Sequence, residues 1–192
     1  KLLVDIGFVP GAVVLLHSSM FQILRCVPSL ASSDPIRLIL ELIGEEGTLL
    51  MPTLTFKGYQ LDYVKAHNTY NPQKTPSKTG LLSALFLRRR DVKRSLHPTH
   101  AIAARGKYAE ELLSTHHLGT ALGKNSPIYK MRQYNGLVVS LGIRPSKSFT
   151  ILHVPEELHP KSRNYHYEKV AHTMIITNKD EKIYYDVYPM RS

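Results

Sequence analysis

Short apolar runs alternate with amphipathic segments along the chain. Four short apolar runs, each bounded by turn residues, predict buried strands. They lie at residues 12–17, 48–51, 101–104 and 136–141. Five further segments begin with capping residues or have apolar positions at helical spacing, and they predict helices. These lie at residues 33–43, 79–89, 108–114, 126–134 and 148–158. The alternation predicts an α/β fold with a mixed sheet and helices on both of its faces.

The last part of the chain has a different pattern. Residues 170–177 and 182–187 alternate in part between apolar and polar positions, and they flank the turn Asn178-Lys179-Asp180. This arrangement predicts an antiparallel C-terminal hairpin. We interpret residues 1–192 as one domain. Because the chain begins without methionine and stops just after a predicted strand, we expect this domain to be incomplete at both ends.

The formal charge of +10 changes the list of partners to consider. Clustered basic residues bind phosphates, so a nucleic-acid-binding domain is one alternative. However, the basic residues are spread along the chain, with one tight cluster at residues 88–94, and no aromatic and basic signature of an RNA-binding module is present. The charge therefore favours either a solvated helix end or a positive rim for an anionic cofactor such as coenzyme A.

Cysteine usage and hydropathy indicate the compartment. Cys26 is the single cysteine, so no internal disulfide is possible, which is compatible with a reducing cytoplasm. The apolar runs are too short to cross a bilayer, and the first residues do not have the pattern of a secretory signal. We therefore expect a soluble cytoplasmic protein without membrane contact.

Small polar side chains follow the predicted strands. His17, Ser18 and Ser19 come after the first strand, and Thr53 comes after the second. Ligands of open α/β sheets bind beyond the carboxyl ends of the strands, and hydroxyl or backbone N–H groups there suit a phosphate. Each of these residues is also an ordinary turn or capping residue, so an unremarkable structural role is the alternative.

The segment from Arg94 to His100 contains two histidines and a threonine. Near neutral pH an imidazole is well suited to accept a proton from an ammonium group, and Thr99 could hold a thioester carbonyl or a thiolate. A metal site is one alternative, although His97 and His100 lack a matching cysteine or carboxylate cluster. A purely structural pair of histidines is the other.

Two further positions could supply acid–base chemistry. The spacing of His153 and Glu156 puts both on one helix face, where the carboxylate can orient the imidazole. We expect Glu157 to lie on the exposed surface of that helix. His116 precedes a glycine-containing loop and is an alternative base to His100, and the sequence does not choose between the two histidines.

Seven segments together resemble the aminoglycoside 3-N-acetyltransferase family in the order of their motifs. They are Gly11–Ser19, Gly44–Thr53, Thr75–Leu81, Arg94–His100, Gly123–Pro127, Leu141–Ile143 and Leu152–Glu156. The resemblance implies transfer of an acetyl group from the cosubstrate acetyl-CoA to a primary amine of an aminoglycoside or amino sugar, without a metal. It implies a small amine as partner in place of nucleic acid, and it is compatible with a homo-oligomer.

The resemblance also implies site residues by position. The residues implied to face the cofactor are His17, Ser18, Ser19, Ser77 and Thr99. The implied catalytic residues are His100, His116, Glu156 and Thr99, with a histidine as base, a carboxylate that orients it and direct attack of the amine on the thioester. His153 and Glu156 are implied to contact the acceptor.

The chain departs from the family pattern in three respects. Residues 20–26 form a bulky segment where the family has a glycine-rich loop, and Ala101 stands where the family commonly has serine. The basic charge favours a neutral or anionic amino sugar over a polycationic antibiotic. A family member that binds coenzyme A without acetylating antibiotics is therefore the alternative function.

Overall fold

The computed structural model of the chain describes residues 2–144, 146, 150–159, 161–162 and 167–191. The strands in these ranges are β1 (Val13–Ser18), β2 (Thr48–Pro52), β3 (Thr69–Tyr70), β4 (Lys93–Arg94), β5 (Ile102–Gly106), β6 (Leu137–Leu141), β7 (His172–Asn178) and β8 (Glu181–Val187). The α-helices are α1 (Leu2–Asp5), α2 (Met20–Cys26), α3 (Asp34–Ile43), α4 (Gln60–Ala66), α5 (Leu81–Leu87), α6 (Ala109–Leu113), α7 (Pro127–Lys130) and α8 (His153–Leu158). Short 3₁₀ helices cover His116–Leu118, Met131–Tyr134 and Thr150–Leu152.

A five-stranded mixed sheet forms the centre of the fold, in the order β4-β5-β2-β1-β6. Strand β1 is parallel to both β2 and β6, whereas β5 is antiparallel to β2 and β4. Val14 and Leu16 of β1 point into one hydrophobic cluster, while Val13 and Leu15 point into a second one on the opposite face. The predicted mixed sheet with helices on both faces is therefore confirmed.

Helix α3 illustrates how the amphipathic pattern forms the layer on one face of the sheet. Its apolar positions recur at helical spacing, so one stripe of side chains is buried. The buried residues are Pro35, Ile36, Ile39, Leu40 and Ile43. The expected cap at Ser33 makes no side-chain hydrogen bond, and instead the Asp34 carboxylate accepts a 2.9 Å bond from the Ala31 N–H. Gly44 ends the helix in a positive-φ conformation, as its position after the last apolar residue predicts.

The predicted C-terminal hairpin is also confirmed, because β7 and β8 pair antiparallel over seven residue pairs. The hairpin does not extend the central sheet. Strand β3 pairs parallel with β7, which gives a separate sheet in the order β3-β7-β8. This sheet and α4 enclose a third apolar cluster, whose members include Val64, Tyr70 and Met174.

Three α-helices were not predicted from the sequence: the four-residue α1, which buries none of its residues, and α2 and α4. Helix α2 covers the bulky segment at residues 20–26, for which no helix was predicted, and α4 lies in a polar stretch without a clear helical pattern. The reason is weak amphipathicity, since Met20 is the one buried residue of α2, and α4 buries Gln60 and Val64. The helix predicted at residues 148–158 begins at His153 after a 3₁₀ turn, and residues 148 and 149 lie outside the described ranges. No helix within the described ranges is long and apolar enough to span a bilayer.

Gly106, the last residue of β5, has a close backbone neighbour on the strand beside it. Its φ is +123°, and a Cβ there would lie 2.0 Å from the Gly47 carbonyl oxygen. Gly11 has a φ of +82° but open space around the same position. We expect Gly11→Ala to cost about 1–2 kcal/mol, the ordinary penalty of a left-handed conformation, and Gly106→Ala to cost about 4 kcal/mol or more. Urea denaturation of both variants measures this difference, and equal losses would contradict it.

Candidate functional site

The carboxyl ends of β1, β2 and β6 surround a small cavity of about 160 Å³. His17 and Ser18 line it from β1, and Thr150 lines it from the 3₁₀ turn that precedes α8. Nε2 of His17 lies 3.2 Å from Oγ1 of Thr150. Burial lowers the pKa of His17 to about 4, so its ring is neutral at physiological pH. The cavity thus lies at the edge of the sheet where α/β proteins bind ligands.

A chain of hydroxyl groups continues from this cavity to the start of α5. Oγ of Ser77 lies 2.8 Å from Oγ1 of Thr79 and 3.0 Å from Oγ of Ser83, and both of these residues line the cavity. Ser19 directly precedes α2, and its N–H donates a 2.9 Å hydrogen bond to the Leu141 carbonyl. The structure therefore brings His17, Ser18 and Ser77 together, and their contact with a cofactor stays a prediction.

Three buried histidines form a cluster behind the sheet edge. The ring centroid of His97 lies 4.7 Å from that of His116 and 5.8 Å from that of His100. Burial lowers the pKa of His100 to about 4 and that of His116 to about 3, and it holds the pKa of His97 well below its usual value. All three rings are therefore neutral near pH 7.

Both ring nitrogens of His116 are occupied by hydrogen bonds. Nε2 donates to the Ala121 carbonyl at 2.9 Å, because a carbonyl oxygen only accepts. Nδ1 must then accept from the Ser95 hydroxyl, which lies 2.8 Å away. The Ser95 oxygen also accepts a 2.9 Å bond from the Ile102 N–H. His116 is thus fixed as one neutral tautomer inside the fold.

Tyr185 of β8 connects the second sheet to this cluster. Nδ1 of His97 accepts a 3.1 Å hydrogen bond from the His100 N–H, so its Nε2 donates to the Tyr185 hydroxyl at 3.0 Å. The same hydroxyl donates to the Gly119 carbonyl, in the loop after His116. Nothing in the sequence indicated this role of Tyr185, because His97 and Gly119 are distant from it along the chain.

Thr99 is fully buried, and its hydroxyl serves the chain's own hydrogen bonds. The side-chain amide of Gln60 donates to Oγ1 of Thr99 at 2.9 Å, and Nδ1 of His100 lies 3.0 Å from the same oxygen. This arrangement holds His100 in place. These hydrogen bonds do not test the predicted contact of Thr99 with a thioester, which stays a prediction.

His153 and Glu156 form a pair in the first turn of α8. Nδ1 of His153 lies 2.7 Å from Oε2 of Glu156, so the imidazole N–H donates to the carboxylate. Both side chains are substantially exposed, at 48% and 42%. Among the described residues no hydrogen bond occupies Nε2 of His153, which leaves that nitrogen available to a ligand.

Glu157 corrects one expectation, because it is buried and not on the exposed surface of α8. Its exposed fraction is 6%. The Tyr167 hydroxyl donates to Oε2, and Oε1 has no hydrogen-bond partner in the described part of the chain. Glu157 lines a cavity of about 700 Å³ together with His97 and Tyr185. Glu157 lies three residues after the buried Val154 on the same helix. This helical spacing was the feature of the sequence that indicated an inward-facing Glu157 side chain.

A second, strongly basic groove of about 820 Å³ lies on the other side of Ser77. Five of its cations have no ion pair within the described ranges: Lys74, Arg88, Arg90, Arg94 and Lys179. Of these, Arg94 donates hydrogen bonds to Thr53 and Thr75 instead. Glu110, the one carboxylate in the described lining, pairs with Lys93. The groove therefore has an excess of positive charge that suits an anion.

The described ranges contain no group of side chains placed to bind a metal ion together. No group of three or more histidine, cysteine, aspartate or glutamate side chains is placed there to hold one. The three buried histidines are occupied instead by the hydrogen bonds to backbone, serine, threonine and tyrosine described above.

Comparison with known proteins gives one family. The sequence model of the aminoglycoside 3-N-acetyltransferase family matches residues 15–190. Aminoglycoside N(3)-acetyltransferase III of Serratia marcescens is 40% identical over 81 residues, which are 42% of this chain and 30% of the relative. Aminoglycoside N(3)-acetyltransferase IV of Salmonella sp is 33% identical over 159 residues, which are 80% of this chain and 55% of the relative.

Solved structures resemble the fold over nearly the whole chain. Aminoglycoside acetyltransferase AAC(3)-Xa superposes with a TM-score of 0.78 at 25% identity, covering 99% of this chain and 69% of that protein. AAC-IIIb, solved as a binary complex with CoASH, superposes with a TM-score of 0.78 at 19% identity, covering 99% of this chain and 73% of that protein.

Proposed function

Because the chain belongs to the aminoglycoside 3-N-acetyltransferase family, we propose that it transfers an acetyl group from acetyl-CoA to a primary amine of an aminoglycoside or related amino sugar. The chain spans 30% to 60% of the length of three curated relatives that it matches. We also propose that its residues belong to a single acetyltransferase domain. The observation that best supports the activity is the exposed His153–Glu156 pair one turn after Thr150 of the hydroxyl-lined cavity.

We propose His153 as the general base. A base must reach the substrate with a free nitrogen, and His153 is exposed and held by Glu156 through its other nitrogen. His100 and His116 were the predicted bases, but their burial lowers their basicity, and both nitrogens of His116 are already bonded. In this proposal these two histidines position the loops around the site.

The proposed reaction is direct attack of the amine on the thioester. Nε2 of His153 accepts a proton from the acceptor ammonium, and Glu156 stabilises the resulting imidazolium. The free amine forms the C–N bond to the acetyl carbon while the C–S bond breaks. The nitrogen loses a second proton as it becomes the amide, so one of its two protons neutralises the thiolate of coenzyme A and the other is released to solvent. Hydroxyl donors at the cavity, Ser18 and Thr150 among them, are suited to stabilise the developing oxyanion.

The surroundings of Ser77 support an anionic cosubstrate. Ser77 lines the basic groove and also bonds to two hydroxyl residues of the small cavity. The small polar cavity and the cationic groove lie one after the other along the surface of the fold. A long ligand with a thioester at one end and phosphates at the other would match this arrangement. Acetyl-CoA has this distribution of groups.

Calorimetry followed by an activity assay tests the proposed function. We expect acetyl-CoA to bind in the micromolar range, with thiol release when an aminoglycoside or amino sugar is added. No heat of binding at millimolar acetyl-CoA would contradict the proposal. Binding without thiol release from any amine would instead indicate a family member that holds coenzyme A without turnover.

Removal of two unpaired cations from the groove is expected to weaken cosubstrate binding. The double variant Arg88→Ala and Arg90→Ala should raise the KM for acetyl-CoA about tenfold at low salt, with kcat nearly unchanged, because each arginine contributes attraction to phosphate. The matched control removes the exposed cations Arg37 and Lys65, which do not line the groove. A similar rise in the KM for acetyl-CoA in both double variants would show that the effect comes from net charge alone.

A further inference from the structure

Arg94 is a half-buried cation whose hydrogen bonds go to neutral groups of the protein. Its Nε donates to Oγ1 of Thr53 at 3.0 Å, and its two terminal nitrogens donate to the carbonyls of Thr53 and Thr75. The guanidinium carbon lies 5.3 Å from the centroid of the Tyr70 ring. Burial lowers the pKa of Arg94, and no carboxylate of the described residues offsets this effect. A cation in this position loses hydration without forming an ion pair, which is unfavourable unless its hydrogen bonds hold the fold or a site together.

The segment of residues 75–79 lies between the basic groove and the small cavity. Residues 75–77 line the groove, and residue 79 lines the cavity. The last part of the segment is bonded directly to the end of β2 and the residues after it. The Lys78 N–H donates to the Leu54 carbonyl at 2.7 Å, and the Thr79 hydroxyl donates to the Pro52 carbonyl at 2.9 Å. This end of the segment is therefore fixed to the central sheet.

Arg94 fixes the other end of the segment to the same part of the sheet. The N–H and Oγ1 of Thr75 both bond to the backbone of Asn71, whereas the Thr75 carbonyl accepts from Arg94. Because the guanidinium also bonds to Thr53, which directly follows β2, it joins Thr75 to the sheet edge. The planar fork of an arginine can reach several acceptors at once, which the single nitrogen of a lysine cannot do in the same geometry. Ser77 lies between the two fixed ends.

We propose that Arg94 is a positioning residue for the cosubstrate, which holds residues 75–79 against the end of β2 so that Ser77 lies where the cavity meets the groove. This rests on the proposed function, in which acetyl-CoA occupies both places. Three of the five N–H groups of the guanidinium are bonded to Thr53 and Thr75, so Arg94 acts through the shape of the segment. Direct attraction of a phosphate, the role proposed for Arg88 and Arg90, is the competing explanation.

The variant Arg94→Lys separates the two explanations, because it keeps the positive charge and removes the fork. We expect calorimetry to give a Kd for acetyl-CoA about tenfold above that of the native chain, because the cosubstrate must then order the segment when it binds. The ratio of the two Kd values should be the same at low and high salt, since the lost interaction lies within the protein. A native Kd in Arg94→Lys, or a ratio that approaches one at high salt, would overturn the proposal.

Hydrogen exchange of the ligand-free chain tests the same role without the cosubstrate. In Arg94→Lys the amides of residues 75–79 should exchange about tenfold faster or more, while those of β1 keep their native rates. Faster exchange throughout the chain would show that Arg94 only stabilises the fold, and unchanged exchange of residues 75–79 would show that it does not hold them. Either result contradicts the positioning role. A native chain that binds no acetyl-CoA would instead contradict the proposed function, and the exchange rates would still decide what Arg94 holds.

The matched control is Arg105→Lys. Arg105 is a half-buried arginine on the neighbouring strand β5, it bonds to the carboxylate of Asp91 at 2.8 Å, and it does not line the groove. A lysine at this position can keep the ion pair. The control should therefore retain the native Kd for acetyl-CoA and the native exchange rates of residues 75–79. The same losses in both variants would show that replacing any half-buried arginine beside the sheet has this effect, which would also overturn the proposal.

Discussion

Replacement of His153 by alanine is expected to lower kcat for acetyl transfer by about 10²- to 10⁴-fold, the usual contribution of a general base. The KM for acetyl-CoA should remain within about threefold, because the basic groove and the hydroxyl residues are unchanged. Glu156→Gln is expected to have a smaller effect, because the imidazole keeps its free nitrogen but loses the carboxylate that orients it and stabilises its charge. Steady-state kinetics with saturating acetyl-CoA measures both.

The matched control is His67→Ala. His67 is an exposed histidine directly after α4, and it contacts the ring and the backbone carbonyl of Tyr63. This replacement should leave kcat unchanged. His100→Ala and His116→Ala identify the alternative: if either loses turnover with cosubstrate binding retained while His153→Ala stays active, that residue is the base. Partial restoration of the His153→Ala activity by added imidazole would support the assignment of proton acceptance to this position.

Acid is expected to destabilise the folded chain steeply between pH 6.5 and about 4. The pKa of His17 and His100 is lowered from 6.5 to about 4, and that of His116 to about 3, because burial disfavours the charged ring. Below pH 6.5 the unfolded chain therefore binds more protons than the folded chain, and stability falls with pH. Each of the three histidines should remove about 3 kcal/mol by pH 4.

Urea denaturation at a series of pH values measures this loss. His116→Gln should be less stable than the native chain at pH 7, because it disrupts the bonds to Ser95 and Ala121, and it should lose less additional stability on acidification. His67→Gln should retain the native pH dependence, because the His67 side chain is exposed. A native chain whose stability is the same at pH 7 and pH 4.5 would show that the buried rings accept protons without unfolding.

The sequence predicted the fold well where one local pattern was sufficient. The apolar runs of β1 and β2 needed no partner to be recognised, because strands covered on both faces are apolar at every position. Helix α3 and the β7–β8 hairpin also followed from local spacing and turn residues. Helices α2 and α4 did not, because their buried faces consist of one or two side chains.

For the candidate site, the sequence determined the pairing of His153 with Glu156, because residues three apart on a helix always share a face. It also indicated that His17 and Ser18 would lie at the carboxyl edge of the sheet, because the last residues of a parallel strand lie at that edge. Both results depend on geometry within one element or at its end.

Only the tertiary structure decided which histidines are buried and which carboxylate lines a cavity. The His97 ring is held by Tyr185, 88 residues later in the chain, and that contact exists because the second sheet packs against the loop. Glu156 and Glu157 are neighbours in sequence, but Glu157 faces the cavity and Glu156 faces solvent, since the packing of α8 sets its buried side. Burial and partner choice are properties of long-range packing, and the local spacing of residues does not contain them.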